Sequence, residues 1–203
     1  MSKILVVLFC LNCSGVVFAK AIVVMGDSIS ASYGIEVQHG WVSLLQKKLQ
    51  AEKFPYQIFN ESISGDTSAG GLARIDRALA RHQPEVVVLE LGANDGLRGL
   101  SPKQMKTNLA AIIQRAKQTE ARVLLLGMRL PPNYGKRYTE MFYNVYPQLA
   151  TELDVVFVPF LLEDVALSKN RMQQDGLHPN ARAQSDISEK VWEYLAPLLE
   201  KTH

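Results

Sequence analysis

The sequence predicts a single three-layer α/β/α domain, a parallel sheet sandwiched between helices. Three observations carry this prediction. Five short apolar runs recur along the 203 residues, most of them without polar alternation, and helical periodicity fills the gaps between them. Runs that lack alternation are strands covered on both faces, which is how parallel sheets are buried. Regular exchange of strand and helix then gives the layered architecture.

The elements follow in order. "AIVVM" (Ala21–Met25) is the first expected strand, and "GWVSLLQKKLQAEK" sets Trp41, Leu44, Leu45 and Leu49 on one helical face. "YQIFN" (Tyr56–Asn60) is the second strand, and "GGLARIDRALARH" spaces Leu72, Ile75 and Leu79 at helical intervals. The third strand is "EVVVLEL" (Glu85–Leu91). The helix after it opens on Ser101 as cap and Pro102 at the first helical position. Its apolar stripe is Met105, Leu109, Ile112, Ile113 and Ala116. "RVLLLGM" (Arg122–Met128) is the fourth strand. "KRYTEMFYNVYPQLATE" is a weaker helix that Pro147 is expected to end or kink. "DVVFVPF" (Asp154–Phe160) is the fifth strand. A tail helix runs through Ile187, Val191, Leu195 and Leu198, interrupted by Pro197. No repeat, low-complexity tract or linker divides the chain.

Charge narrows the function. The formal net charge is only +2, with no cluster of Lys or Arg, so a nucleic-acid partner is not expected. The amino-terminal stretch "MSKILVVLFCLNCSGVVFAK" has Lys3, an apolar run and the small residue Ala19 before Lys20. This reads as a secretory signal peptide over residues 1–19, with the domain over 20–203 and a secreted or periplasmic destination. The run is too short to span a bilayer, which takes about 20 residues. Lipidation at Cys13 is the rival, disfavoured by Asn12 where a small residue is expected. Both cysteines, Cys10 and Cys13, fall inside the leader. A mature chain without thiols has no disulfide, no cysteine nucleophile and no cysteine metal site.

Parallel α/β sheets carry their sites at the carboxyl ends of the strands. After the first strand come Gly26, Asp27 and Ser28; after the second, Ser64, Gly65 and Asp66; after the third, Gly92, Asn94 and Asp95; beyond the fifth, Asp175 and His178. Ser28 alone reads either as a turn or capping serine or as a nucleophile, and a serine nucleophile needs a base. Of four histidines, His39, His82 and His203 have surface or capping explanations. His178 lies three residues after Asp175, close enough for a tight turn to set the carboxylate against the ring. A solvent-exposed turn, or an Asp/His metal site without a second nearby histidine, are the competing readings. Asn94 can offer a side-chain amide and Gly65 a backbone N–H to a developing oxyanion, alongside the N–H of Ser28; each also reads as a turn residue. Asp27 is expected to brace the serine turn, Asp66 to cap the next helix, and Asp95 to hold the loop bearing Asn94, with a purely structural role open for each. Glu90, inside the third strand, has no evident partner. No G-x-S-x-G elbow, G-x-G-x-x-G turn, phosphate loop or H-E-x-x-H pair is present.

Four blocks, "GDS" at 26–28, "SGDT" at 64–67, "GAND" at 92–95 and "DGLH" at 175–178, resemble in order the signatures of the SGNH, or GDSL-type, serine hydrolase superfamily. The likeness spans the expected mature chain and is nearest to the secreted thioesterase I/protease I/lysophospholipase (arylesterase) group. It implies a flavodoxin-like five-stranded parallel sheet, with Ser28 as nucleophile, His178 as base and Asp175 orienting it. It further implies an oxyanion hole of Ser28, Gly65 and Asn94, a mobile loop at "GLRGLSP" (96–102), and an acyl pocket lined by Leu130 and Pro131. The expected substrates are esters or thioesters of medium to long acyl chains, lysophospholipids included, cleaved by a monomer without cofactor or metal. Lys136 and Arg137 read as contacts for an anionic head group or as a solvated face. A carbohydrate O-deacetylase of the same superfamily and a non-catalytic lipid-binding module are the alternatives. The chain departs from the usual pattern at Ile29, at Ser32, where close relatives often carry glycine, and at Pro132.

Overall fold

The computed structural model describes residues 19–201. The expected leader with Cys10 and Cys13, up to residue 18, and His203 lie outside the described residues. Strands β1 (Lys20–Gly26), β2 (Tyr56–Asn60), β3 (Val86–Glu90), β4 (Arg122–Leu126) and β5 (Val156–Val158) form one parallel sheet in the order β2-β1-β3-β4-β5. The helices are α1 (Trp41–Ala51), α2 (Ser68–His82), α3 (Ala93–Leu97), α4 (Pro102–Gln118), α5 (Lys136–Leu153) and α6 (Gln184–Leu195). Helices α1 and α6 pack together on one face; α2, α4 and α5 pack in sequence on the other. This is the expected three-layer, doubly wound arrangement. Among the described residues no helix is long and apolar enough to cross a membrane.

The central strands match the expectation of cover on both faces: Ala21 to Gly26 and all of β3 are buried. The edges do not. In β2 Tyr56 and Ile58 are buried while Gln57 and Asn60 are exposed, and in β5 only Val158 is buried. An edge strand has one neighbour and less helix above it. Strand β5 is also shorter than the apolar run suggests, because Pro159 has no N–H to continue the ladder.

Helix α4 begins as expected: Ser101 Oγ accepts from the Gln104 N–H at 3.5 Å, with Pro102 in the first position. Helix α5 does not end at Pro147 but continues past it to Leu153. The proline costs about 3 kcal/mol. Burial of Phe142, Val145, Tyr146 and Leu149 on that helix outweighs it, at about 1.5–3 kcal/mol for each large apolar side chain. Helix α6 stops at Leu195, and Pro197 lies in a short 3-10 turn beyond it. Helix α3 was not expected from sequence, where its residues read only as a polar turn. Gly92 starts it at φ +117°, and a Cβ there would lie 2.4 Å from the Tyr146 hydroxyl oxygen, so only glycine fits.

Candidate active site

The chain leaves β1 toward β2 and returns to β3 on the other side, so the strand order reverses between β1 and β3. The crevice outside their carboxyl ends is where such sheets hold ligands. Gly26 and Glu90 pair across this point, and the segments that follow carry Ser28 and Asn94.

Ser28 sits in a tight turn closed by the Ala31 N–H to the Asp27 carbonyl, 2.9 Å, and the Tyr33 N–H to the Ser28 carbonyl, 3.0 Å. Asp27 Oδ1 accepts from the Ile29 N–H at 3.1 Å, the expected brace. Ser30 was not foreseen as part of the brace: fully buried, it donates to Glu90 Oε2 at 2.7 Å, while its carbonyl accepts from Asn60 Nδ2 at 2.8 Å. The Asp27 N–H also donates to Glu90 Oε2, at 3.2 Å. The sequence signal was a lone carboxylate in an otherwise apolar strand. Ser32, in the same turn, is buried and held at φ +62°.

His178 comes from a loop far along the chain. The Gln173 N–H to the His178 carbonyl (2.8 Å) and the Met172–Pro179 bridge close that loop, and Gln173 Nε2 donates to the Tyr33 carbonyl at 2.7 Å. The Tyr33 ring lies 4.6 Å from the His178 ring, a contact that sequence reasoning missed. Asp175 Oδ1 accepts from the N–H groups of Leu177 (2.9 Å) and His178 (3.0 Å), and Oδ2 meets His178 Nδ1 at 2.7 Å. Partial burial raises the Asp175 pKa, but these donors and the ring outweigh it and bring it down to about 2. An ionised carboxylate fixes the proton on Nδ1, which leaves Nε2 as acceptor. Ser28 Oγ stands 2.8 Å from it. In this arrangement an imidazole can take a serine proton while the carboxylate stabilises the imidazolium.

Asn94 Nδ2 donates to Asp27 Oδ2 at 3.0 Å. Asp95 is buried and accepts from the Ser68 N–H (2.8 Å) and Ser68 Oγ (2.5 Å), so α3 is tied to the start of α2 rather than to its own loop. Gly65, at φ +81°, lies in the loop before α2. Its carbonyl accepts from Arg98 at 2.7 Å, which fastens the loop to the end of α3. Tyr134 donates to the Leu97 carbonyl at 3.0 Å, and Tyr138 to the Leu100 carbonyl at 2.8 Å.

Three expectations need correction. Asp66 does not cap α2; Thr67 does, accepting from the Gly70 N–H at 3.3 Å. Asp66 instead pairs at 2.7 Å with the largely buried guanidinium of Arg74, a stronger, charge-assisted partner. His82 is not a surface or capping residue: it stacks on Phe59 with centroids 4.2 Å apart and meets Glu61 Oε1 at 2.6 Å. Glu90, left without a partner in the sequence reading, receives Ser30 and the Asp27 N–H.

Burial raises the Asp27 pKa to about 6, against the lowering pull of the Ile29 N–H. Complete burial, then the charge of Asp27, push Glu90 well above the ordinary carboxylate range, which favours its protonated form.

These groups open on a cavity of about 250 Å³ lined by Ser28, Asn94, His178, Leu97, Leu130 and Pro131, together with Met128, Leu162 and Leu177. Leu130 and Pro131 are thus in the same lining as Ser28 and His178, while Leu162 and Leu177 carried no sequence signal. Gly65 and Asp175 stand outside this lining, Asp175 because it lies against the other ring nitrogen of His178.

Residues 24–185 match the model of the GDSL-like Lipase/Acylhydrolase family. The chain is 52% identical over 181 residues to esterase TesA of Pseudomonas aeruginosa, covering 89% of this chain and 90% of that protein. It is 45% identical over 181 residues to thioesterase 1/protease 1/lysophospholipase L1 of Escherichia coli K12, covering 89% and 86% respectively. A crystal structure of TesA superposes with a TM-score of 0.87 at 52% identity, covering 89% of this chain and all (100%) of that one. The chain thus belongs to the GDSL-like lipase/acylhydrolase family of serine hydrolases, and it is an enzyme.

Proposed function

We propose that this enzyme hydrolyses carboxylic esters and acyl thioesters through an acyl-enzyme on Ser28. The observation that carries the reading is the continuous path Ser28 Oγ to His178 Nε2 (2.8 Å) and His178 Nδ1 to Asp175 Oδ2 (2.7 Å), opening on an apolar cavity. His178 takes the Ser28 proton as Oγ attacks the carbonyl carbon. The oxyanion is received by the N–H groups of Ser28 and Gly65 and by Asn94 Nδ2. The imidazolium gives its proton to the departing alcohol or thiol, and water then repeats the cycle on the acyl-enzyme. Asp175 holds the tautomer throughout. Leu130 and Pro131 pack against the acyl chain, of medium to long length, and Lys136 and Arg137 contact the head group of lysophospholipid substrates. The chemistry uses no metal or organic cofactor, so chelation leaves activity intact.

The enzyme works as an exported monomer, cleaved after Ala19. Strand β1 begins at Lys20, so this cleavage removes no residue of the sheet. Amino-terminal sequencing of exported protein should begin at Lys20. A fluorophosphonate probe should label Ser28, and Ser28→Ala should lose both labelling and ester hydrolysis. Full hydrolysis by Ser28→Ala would overturn the assignment.

A further inference from the structure

Arg74 does not line the catalytic cavity, yet its side chain supports the loop that carries Gly65. It projects from α2 with only 12% of the side chain exposed. Nε (2.8 Å) and Nη2 (2.7 Å) both donate to Asp66 Oδ2. Nη1 donates to the Glu61 carbonyl, and Nη2 also reaches the Gly26 carbonyl at 3.3 Å. Gly26 ends β1 two residues before Ser28, Glu61 follows β2, and Asp66 is the residue after Gly65. One guanidinium therefore ties the nucleophile strand to both flanks of the Gly65 loop.

The loop is fitted around this contact. The Ile63 N–H donates to the same Gly26 carbonyl at 3.1 Å, and the Asp66 N–H to the Ile63 carbonyl at 3.0 Å. Gly70 makes room on α2 for the carboxylate, since a Cβ there would lie 1.8 Å from Asp66 Oδ1. Among the described residues the Gly65 N–H meets no acceptor, whereas the Gly65 carbonyl is taken by Arg98. The opposite charges of Arg74 and Asp66 largely cancel, so the pair contributes placement rather than potential. Placement matters because a donor to a developing oxyanion works only when it is aimed at it, and small displacements cost large factors in rate. The planar fork of arginine can hold three acceptors in fixed directions; the ammonium of lysine, on a flexible stem, cannot.

We propose that Arg74 is a positioning residue for the reaction, which sets the Gly65 N–H at its working distance from Ser28. The inference rests on the reading above in which Ser28 is the nucleophile and Gly65 an oxyanion donor. Arg74 touches no reacting atom in this role; it acts through Gly26, Glu61 and Asp66.

The test compares turnover with binding of a tetrahedral mimic. Hydrolysis of p-nitrophenyl butanoate gives kcat and KM. An alkyl trifluoromethyl ketone gives a Ki for the oxyanion state: Ser28 Oγ adds to its carbonyl, the serine proton passes to His178, and the hemiketal oxygen is left negative. Arg74→Lys keeps the charge and loses the fork. It should lower kcat and weaken the ketone by about tenfold each, short of the 10²–10³ for deleting a donor outright, with KM within about twofold of wild type. The double variant Arg74→Gln/Asp66→Asn removes both charges together, so no lone buried charge is left to unfold the chain. It should melt cooperatively and show the same tenfold losses. A folded double variant with wild-type kcat overturns the role. So does a fall in kcat with an unchanged ketone Ki, or one no larger than the loss of folded protein read by circular dichroism at the assay temperature. Persistent hydrolysis by Ser28→Ala, or wild-type ketone affinity in Asn94→Ala, is a separate failure: it overturns the underlying oxyanion reading, and this inference with it.

Discussion

Asp27 Oδ2 holds Asn94 Nδ2 at 3.0 Å, so the carboxylate beside the candidate nucleophile fixes the amide that we propose receives the oxyanion. One N–H of the amide is committed to Asp27, and the proposed oxyanion role falls to the other. Asn94→Ala should lower kcat by about 10²–10³-fold with little change in KM. Asp27→Asn should lower kcat by about tenfold, the scale of one lost hydrogen bond. A neutral amide at position 27 can accept from Asn94 only by turning its NH₂ toward the Ile29 N–H. Steady-state kinetics separate the outcomes; an unchanged kcat in Asn94→Ala would remove Asn94 from the oxyanion site.

Asp175→Asn should reduce kcat by about 10⁴-fold, because a neutral amide no longer fixes the proton on His178 Nδ1. The Asp175 pKa is lowered to about 2, so its contribution to stability is complete above the unfolded carboxylate value near 3.8 and is lost as pH falls toward 2. Urea unfolding at pH 6 and pH 2.5 should show the wild type more stable than Asp175→Asn at the higher pH and the gap closing at the lower.

The buried pair runs the other way. Asp27, raised from 3.8 to about 6, and Glu90, raised further, bind more protons folded than unfolded. Their contribution is present at acid pH and declines as pH rises above the unfolded carboxylate range. Glu90→Gln copies the protonated form and removes its share of that decline. Melting temperatures at pH 5 and pH 8 should fall less between those values in Glu90→Gln than in wild type. An identical pH slope would place the proton elsewhere.

Ser32 is buried at φ +62°, a left-handed backbone that costs an L-residue about 1–2 kcal/mol. Glycine removes that strain and gives back part of the gain as unfolded-state entropy. Ser32→Gly should raise stability by about 0.5 kcal/mol, read as a melting temperature one to two degrees higher. A lower melting temperature would mean the Ser32 side chain contributes packing beyond the strain.

The strands were legible because fully buried parallel strands are apolar without interruption, as in "EVVVLEL". Sequence failed where that regularity ends. Pro147 reads locally as a helix breaker, and only the packing of Phe142 and Tyr146 carries the helix past it. The site was legible to the extent that its groups follow strand ends: Ser28, Asn94 and His178 line one cavity. The supports were not, since they depend on register between distant strands. Ser30 meets Glu90 only because Gly26 pairs with Glu90. Arg74, which takes Asp66 from its expected capping role, likewise carries no local pattern. Leu162 and Leu177 are ordinary leucines until the fold sets them opposite Leu130.

The hydroxyls of Tyr134 and Tyr138 reach carbonyls of the 97–100 segment, and Arg98 reaches Gly65, so three loops around the cavity share one set of ties. These ties hold the rim together without substrate, in contrast to the mobile loop expected at 96–102. Calorimetry of a non-hydrolysable acyl phosphonate binding to Ser28→Ala should then return a small entropic penalty and a negative heat-capacity change set by buried apolar area. Loosening the rim with Tyr134→Phe and Tyr138→Phe should shift that balance toward a larger penalty while leaving the contact surface, and hence the heat-capacity change, nearly the same.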